Sequence, residues 1–230
     1  MKLKDLIQRV LSQYHKGVHN DNTPLKPRHI YNKLITVRNL LIYQKVNKRQ
    51  NINKDTYQII DCVQMELASL HDCPCVPPSG CKFLRSKYPI PNFVSSDKPL
   101  INYISNINGT LTYTATTWNE KKYKKGNRYT SSKPDYFFKD DYLYITTPEI
   151  TSTIVTIEAV FKDPLEARKF KGACLSCEDC PGDCESYLDL EFPIEASLEE
   201  PLILMTVEEL VDKMVRIPNT QTGEAINEEV

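Results

Sequence analysis

Glycine is scarce in this chain, with 7 among 230 residues, which argues against the glycine-rich loops that cradle phosphate groups. No apolar run approaches the length needed to cross a bilayer. The opening MKLKDLIQRVLSQY is amphipathic rather than continuously apolar, so it does not read as a secretory signal. Histidine is also rare. His15, His19, His29 and His71 all fall in the first third of the chain, three of them on or beside predicted N-terminal helices. No serine sits in a nucleophile elbow, and neither a His-Glu-x-x-His pair nor a Walker loop occurs. Carboxylates crowd the C-terminal end without a spacing that implies acid–base work. An enzyme is therefore not expected, and no internal repeat marks a solenoid.

What the chain does have is proline, 15 residues, which implies many irregular connections. Hydrophobic residues at 40% and charged residues at 26% are ordinary for a globular protein. Eight cysteines in a chain expected to be made in a reducing compartment are expected to be free or metal-bound rather than paired. The net charge of -1 hides a polar layout. Met1 to Lys54 carries 12 Lys and Arg against two acids, whereas Glu178 to Val230 carries 15 acids against two bases. Three outcomes are open: the ends lie against each other in one molecule, they meet between neighbouring copies, or the basic end faces nucleic acid.

The strongest strand signal lies in the centre. Residues 136–138 and 142–146 flank Asp140-Asp141 as a hairpin, and residues 154–161 alternate as a further strand. These three strands are expected to form the heart of an antiparallel sheet. Before them, Leu3, Leu6, Ile7, Val10, Leu11 and Tyr14 form a one-sided helical stripe stopped at Gly17. Pro27 suits the first turn of a second helix running to about Lys45, with Ile30, Leu34, Val37 and Leu41 on one face. The two helices should pack as a hairpin. Tyr57 to Leu67 alternates as a strand, with a helix as the alternative, and 82–88 is another candidate strand. Asn108-Gly109 joins the arms of a hairpin over 101–114. Thr116 or Thr117 should cap a short helix to Lys125, and Asp163-Pro164 opens another. Ser197, with Glu200, reads as the capping box of a final helix. The fold class is α+β, divided into a basic helical hairpin at 1–54, a β-rich domain at 55–168, a cysteine loop with an acidic helix at 169–216, and a disordered tail at 217–230.

Two sets of residues are candidate sites. Lys33, Arg38, Lys45, Lys48 and Arg49 lie along or just past the second helix, in a stretch without an acid from Lys26 to Lys54. A solvated face is the ordinary reading; the functional one is contact with DNA phosphates or a neighbouring protein. Cys174, Cys177, Cys180 and Cys184 form C-x2-C-x2-C-x3-C, a spacing that brings several sulfurs around one zinc ion. It also imitates the bacterial iron–sulfur run, but Glu185 stands where that run has proline. Nearby acids Glu178, Asp179 and Asp183 disfavour thiolates, so a reduced, metal-free loop is expected ahead of zinc. His71, Cys73, Cys75 and Cys81 make a second, weaker ligand set. No other cofactor is implied. The alternative to a structural role is a zinc-stabilised nucleic-acid-binding module.

Three stretches carry a resemblance. The opening MKLKDLIQRVLSQYHKGVHNDNTPLKPRHIYNKLITVRNLLIYQK, the segment PPSGCKFLRSKYPIP and the stretch GNRYTSSKPDYFFKDDYLYIT are similar to a family of virion structural proteins of crAss-like tailed bacteriophages. The similarity runs from Met1 to about Met214. The resemblance implies a ring-forming subunit of the neck or tail, a head-to-tail connector below the portal that surrounds the DNA conduit. It implies as partners its own copies, twelve to a ring, the portal protein and adjacent neck or tail proteins, with non-specific DNA contact and no membrane. It places the protein in the virion, after assembly in the bacterial host cytoplasm.

Overall fold

In the computed structural model, the described residues are 1–17, 25–68, 83–95, 98–117, 120, 133–146, 154–170 and 186–215, with side chains to 211. They contain four α-helices: α1 (Leu3–Tyr14), α2 (Pro27–Asn47), α3 (Pro164–Arg168) and α4 (Ala196–Val215). Seven strands join one sheet: β1 (Gln58–Leu67), β2 (Phe83–Ser86), β3 (Ile101–Asn106), β4 (Thr114–Ala115), β5 (Asp135–Lys139), β6 (Tyr142–Thr146) and β7 (Ile154–Ala159). The architecture is the expected α+β arrangement of N-terminal helices, central sheet and C-terminal helix.

Strand β1 holds the sheet together. Its first part pairs antiparallel with β7, and Met65–Leu67 pairs antiparallel with β2. Ile60 faces Ile157 and Val63 faces Val155, so β1 carries one extra residue between these pairs. Cys62 takes φ +60 there. Such a bulge bends the strand and swaps which side chains face inward. Ile60, Val63 and Met65 are consequently buried, while Ile59 is 55% exposed. The alternation expected from Tyr57 onward holds only at Val63 and Met65, just after the bulge; Leu67 is exposed.

The strand order is β3-β7-β1-β2-β6-β5-β4. The β5–β6 hairpin forms as expected, and both turn residues take the left-handed backbone that a two-residue hairpin turn requires: Asp140 φ 52, Asp141 φ 63. β7, however, is separated from β6 by β1 and β2. The expected three-strand heart is therefore split, because β7 finds its apolar partners in Ile60 of β1 and Ile104 of β3. The hairpin after β3 also forms, with Gly109 at φ +67 in its turn. Its second arm bonds back to β3 through Tyr113 N–H to Ile104 O (2.8 Å) and then enters β4, which pairs parallel with β5. One short stretch thus ties the two ends of the strand order, and the sheet closes around its own core. Ile104, Leu143, Ile145, Val155 and Ile157 are fully buried in that core. A closed sheet leaves no long unpaired edge.

A second core lies among the helices. Leu3, Leu6 and Val10 of α1, Ile30, Leu34 and Val37 of α2, and Leu202, Ile203 and Leu210 of α4 form one cluster with Phe192 and Ile194. The N-terminal helices therefore share their stripes with α4 instead of covering only each other. Residues 1–3 pair with the stretch before α4, through Leu3 N–H to Leu190 O and Phe192 N–H to Met1 O. Ile42 of α2 packs against Val94 and Val160 and seats the helices on the sheet.

Candidate assembly surface and its buried scaffold

The basic residues of α2 divide by helical position. Leu34, Arg38 and Ile42 recur at four-residue steps, so Arg38 stands on a buried face of the helix. It is 0% exposed. Its Nε donates to Pro193 O (2.7 Å), its Nη1 to Phe161 O (3.0 Å) and its Nη2 to Thr56 O (3.4 Å). One guanidinium thereby joins α2, the end of the β7 segment, the turn before β1 and the stretch before α4. Burial pulls its pKa down to about 10, against the opposing influence of Tyr31 and Asp163. Beside it, the Tyr31 hydroxyl donates to Asp163 Oδ1 (2.7 Å), and Asp163 caps α3 by accepting from Leu165 N–H (2.8 Å). Burial first, and then the Asp163 carboxylate, push the Tyr31 pKa up. Arg38 thus presents no surface to DNA or to a neighbour; the four-residue register with Leu34 and Ile42 was the signal that it turns inward.

Lys45 and Lys33 are also engaged within the chain. Lys45 Nζ lies 2.5 and 2.6 Å from the two carboxylate oxygens of Glu195. Glu195 is nearly inaccessible. Burial alone would raise its pKa, but the bonds from Lys45, the Ser197 hydroxyl and Asn53 N–H outweigh it and hold the carboxyl below the usual range. Lys33 Nζ meets Glu209 Oε2 at 2.9 Å. These contacts set α2 antiparallel to α4. Arg9 of α1 reaches Glu200 at 2.8 Å and Glu199 at 3.8 Å. The two oppositely charged ends of the chain therefore meet within one molecule. The cap of α4 differs from the expected one: the helix starts at Ala196, Ser197 donates to Glu195, and Glu200 turns to Arg9.

Lys48 and Arg49 remain exposed at the end of α2, where Arg49 takes φ +54. They are the part of the basic set that the fold leaves facing outward. Cys174, Cys177, Cys180 and Cys184, like His71, Cys73, Cys75 and Cys81, lie outside the described residues, as do the tail and the helix expected to Lys125. Thr117 and Glu120 do exchange the reciprocal bonds of a capping box at its predicted start. A groove of about 920 Å³ runs along the seam between helices and sheet, lined by Lys2, Asp55, Ile59, Arg168 and Glu191 among others. It is open, and no histidine or nucleophile–base pair lines it. Among the described residues no helix is long and apolar enough to cross a membrane.

The exposed apolar residues include Leu40 and Tyr43 on α2 and Leu204 and Val211 on α4. These residues place apolar side chains on the solvent-facing sides of two helices whose interior is held by ion pairs. The family model described as phage tail ring protein 2 matches residues 5–229. The chain belongs to the phage tail ring protein 2 family. It is also 27% identical over 218 residues to Ring protein 2 of Bacteroides phage crAss001, covering 91% of this chain and 90% of that protein. The resemblance to crAss-like phage virion proteins seen in the three sequence stretches is thereby confirmed. The family is a structural one, so the chain is a phage tail ring component of the virion.

Proposed function

We propose that copies of this chain close into a ring in the phage neck or tail below the portal, around the path of the DNA. The family match over residues 5–229 carries this reading. A ring needs a contact that repeats head to tail until it closes, and a subunit held rigid by its own ion pairs can repeat one contact without bending. Twelve copies match the symmetry proposed for rings that stack on a portal. A basic surface facing the lumen meets phosphates without reading sequence. The chain acts by position, without turnover and without a resident cofactor; zinc at Cys174, Cys177, Cys180 and Cys184 is an addition the sequence admits, as it does more weakly at His71, Cys73, Cys75 and Cys81, and metal analysis of the purified protein decides it. It is assembled in the host cytoplasm and contributes to DNA ejection as part of the conduit wall.

Electron microscopy of purified particles, with mass spectrometry of their proteins, tests the proposal. The expected result is a ring of this chain below the portal, with twelve copies per particle. Absence of the chain from mature particles overturns it.

A further inference from the structure

Helix α2 turns Ile30, Leu34, Val37 and Leu41 toward the other helices and Arg38 and Ile42 toward the sheet. The outward residues from Asn32 to Asn47 are Asn32, Thr36, Leu40, Tyr43, Gln44 and Asn47, all exposed and all uncharged. This stripe is about 22 Å long at 1.5 Å per residue. No charge falls on this stripe, and depletion of Lys and Glu around an aromatic is the composition of an interface centre. The ends of the stripe are basic, with Arg28 before it and Lys48 and Arg49 after it, and the stretch from Lys26 to Lys54 holds no acid.

Helix α4 turns Leu202, Ile203, Thr206 and Leu210 inward. Its outward stripe is Ser197, Glu200, Leu204, Glu208 and Val211, about 21 Å long. Leu204 is 50% exposed and Val211 41%, close to the 41% and 42% of Leu40 and Tyr43 on α2. The charges here are acidic. Because α2 and α4 pack on each other, through the Lys33–Glu209 and Lys45–Glu195 pairs, the stripe that each leaves outward points away from the other. The two stripes therefore lie on opposite flanks of one helical layer. They match in length and apolar content, and the residues that flank the α2 stripe are opposite in sign to Glu208 on the α4 stripe.

We infer that the α2 stripe of one copy docks on the α4 stripe of the next. The occupant of each flank is a second copy of this chain. The contact is heterologous, so it propagates in one sense around an axis. Apolar contact at Leu40, Tyr43, Leu204 and Val211 supplies affinity, and a basic end against Glu208 supplies orientation, Glu200 being held by Arg9 of its own chain. This inference rests on the ring reading and adds to it the surfaces through which the ring closes.

Two full-length variants test it, Tyr43→Glu and Leu204→Glu. Both sites are exposed, and circular dichroism checks that both chains fold. Each variant alone should lose rings and need about tenfold or more protein to reach half-assembly, read by mass photometry and electron microscopy. The mixture is the sharper readout. The Tyr43→Glu copy keeps its α4 flank and the Leu204→Glu copy keeps its α2 flank, so together they should form one-to-one dimers and stop there. Rings from either variant at wild-type concentrations, or a mixture that forms no dimers, overturns the docking. A wild-type chain that stays monomeric in solution also overturns it. The ring reading itself falls only if purified particles lack the ring.

Discussion

The sheet keeps its interior to itself, whereas the helical layer is assembled from the two ends of the chain. Inside the closed sheet the buried side chains of the central strands are apolar apart from Ser86, whose Oγ accepts from Leu143 N–H, and the other backbone groups are spent on strand partners. The helical layer instead joins residues 3–41 to residues 187–210, and its boundary with the sheet is crossed by a buried guanidinium and a nearly buried carboxylate. Area buried between apolar faces is non-directional. Two helices and a sheet can slide on such faces, but a guanidinium bonded to three carbonyls fits only one arrangement. The sheet thus gains its uniqueness from strand register, and the helical layer gains it from polar bonds. For a subunit whose outward helix stripes are its contact surfaces, fixing the helices on the sheet fixes the geometry of the ring.

Removing Arg38 should break this division most strongly. In Arg38→Met the carbonyls of Phe161, Pro193 and Thr56 lose their shared donor. Stranding buried acceptors costs about 1–3 kcal/mol each, offset in part by no longer burying a charge. The expected net loss is about 2–4 kcal/mol in urea unfolding. Arg38→Lys should be worse than Met, because an ammonium keeps the buried charge yet cannot span three carbonyls. Hydrogen exchange should show α1, α2 and α4 losing protection while β6 and β7 keep theirs. Equal loss in both regions would mean that they fold as one unit.

The Lys45–Glu195 pair gives a smaller, pH-dependent effect. The folded Glu195 carboxyl ionises below the usual glutamate range because its hydrogen-bond donors outweigh its burial. A depressed folded pKa stabilises the fold above the unfolded group's pKa, and that contribution is lost as the pH falls through the folded value. Glu195→Gln should cost about 2 kcal/mol at neutral pH, less than loss of a fully buried pair because Lys45 is partly solvated. Stability curves of the two proteins should converge as the solution is acidified. Curves that stay parallel down to strongly acidic pH would assign the difference to packing rather than to ionisation.

Much of this contrast was legible in the sequence, and the rest was not for identifiable reasons. Helices α1 and α2 and the β5–β6 hairpin follow from local periodicity and turn chemistry, which act over a few residues. The strand order does not, since β7 chooses β1 and β3 over its sequence neighbour β6 on the basis of partners far along the chain. Nor does the bulge at Cys62, a left-handed residue with no glycine to announce it. Arg38 illustrates a different limit. Counted with Lys33 and Lys45 it belongs to a basic run, but its register with Leu34 and Ile42 marks it as interior. Charge counts say how much of one sign a helix carries; only position on the helix says which charges reach solvent.

The smallest effect expected lies in the sheet alone. Asp140 and Asp141 hold left-handed backbone without glycine, a conformation that Asn-Gly adopts at less cost. Asp140→Asn combined with Asp141→Gly should stabilise the chain by about 1 kcal/mol, provided that Ile90 N–H keeps its bond to the carbonyl of residue 141 (2.8 Å). The informative experiment places this pair in the Arg38→Met background. Independent regions give the same gain in both backgrounds, to within about 0.5 kcal/mol. A physical route for coupling exists, because the Phe161 carbonyl accepts from Arg38 while the Phe161 ring packs on Phe93 (5.2 Å) and Phe93 on Phe138 (5.0 Å), next to the turn. A gain that vanishes when Arg38 is removed would show that this row of rings carries the state of the helical layer into the sheet. The sheet would then be a responder to the helices rather than the fixed base on which they are mounted.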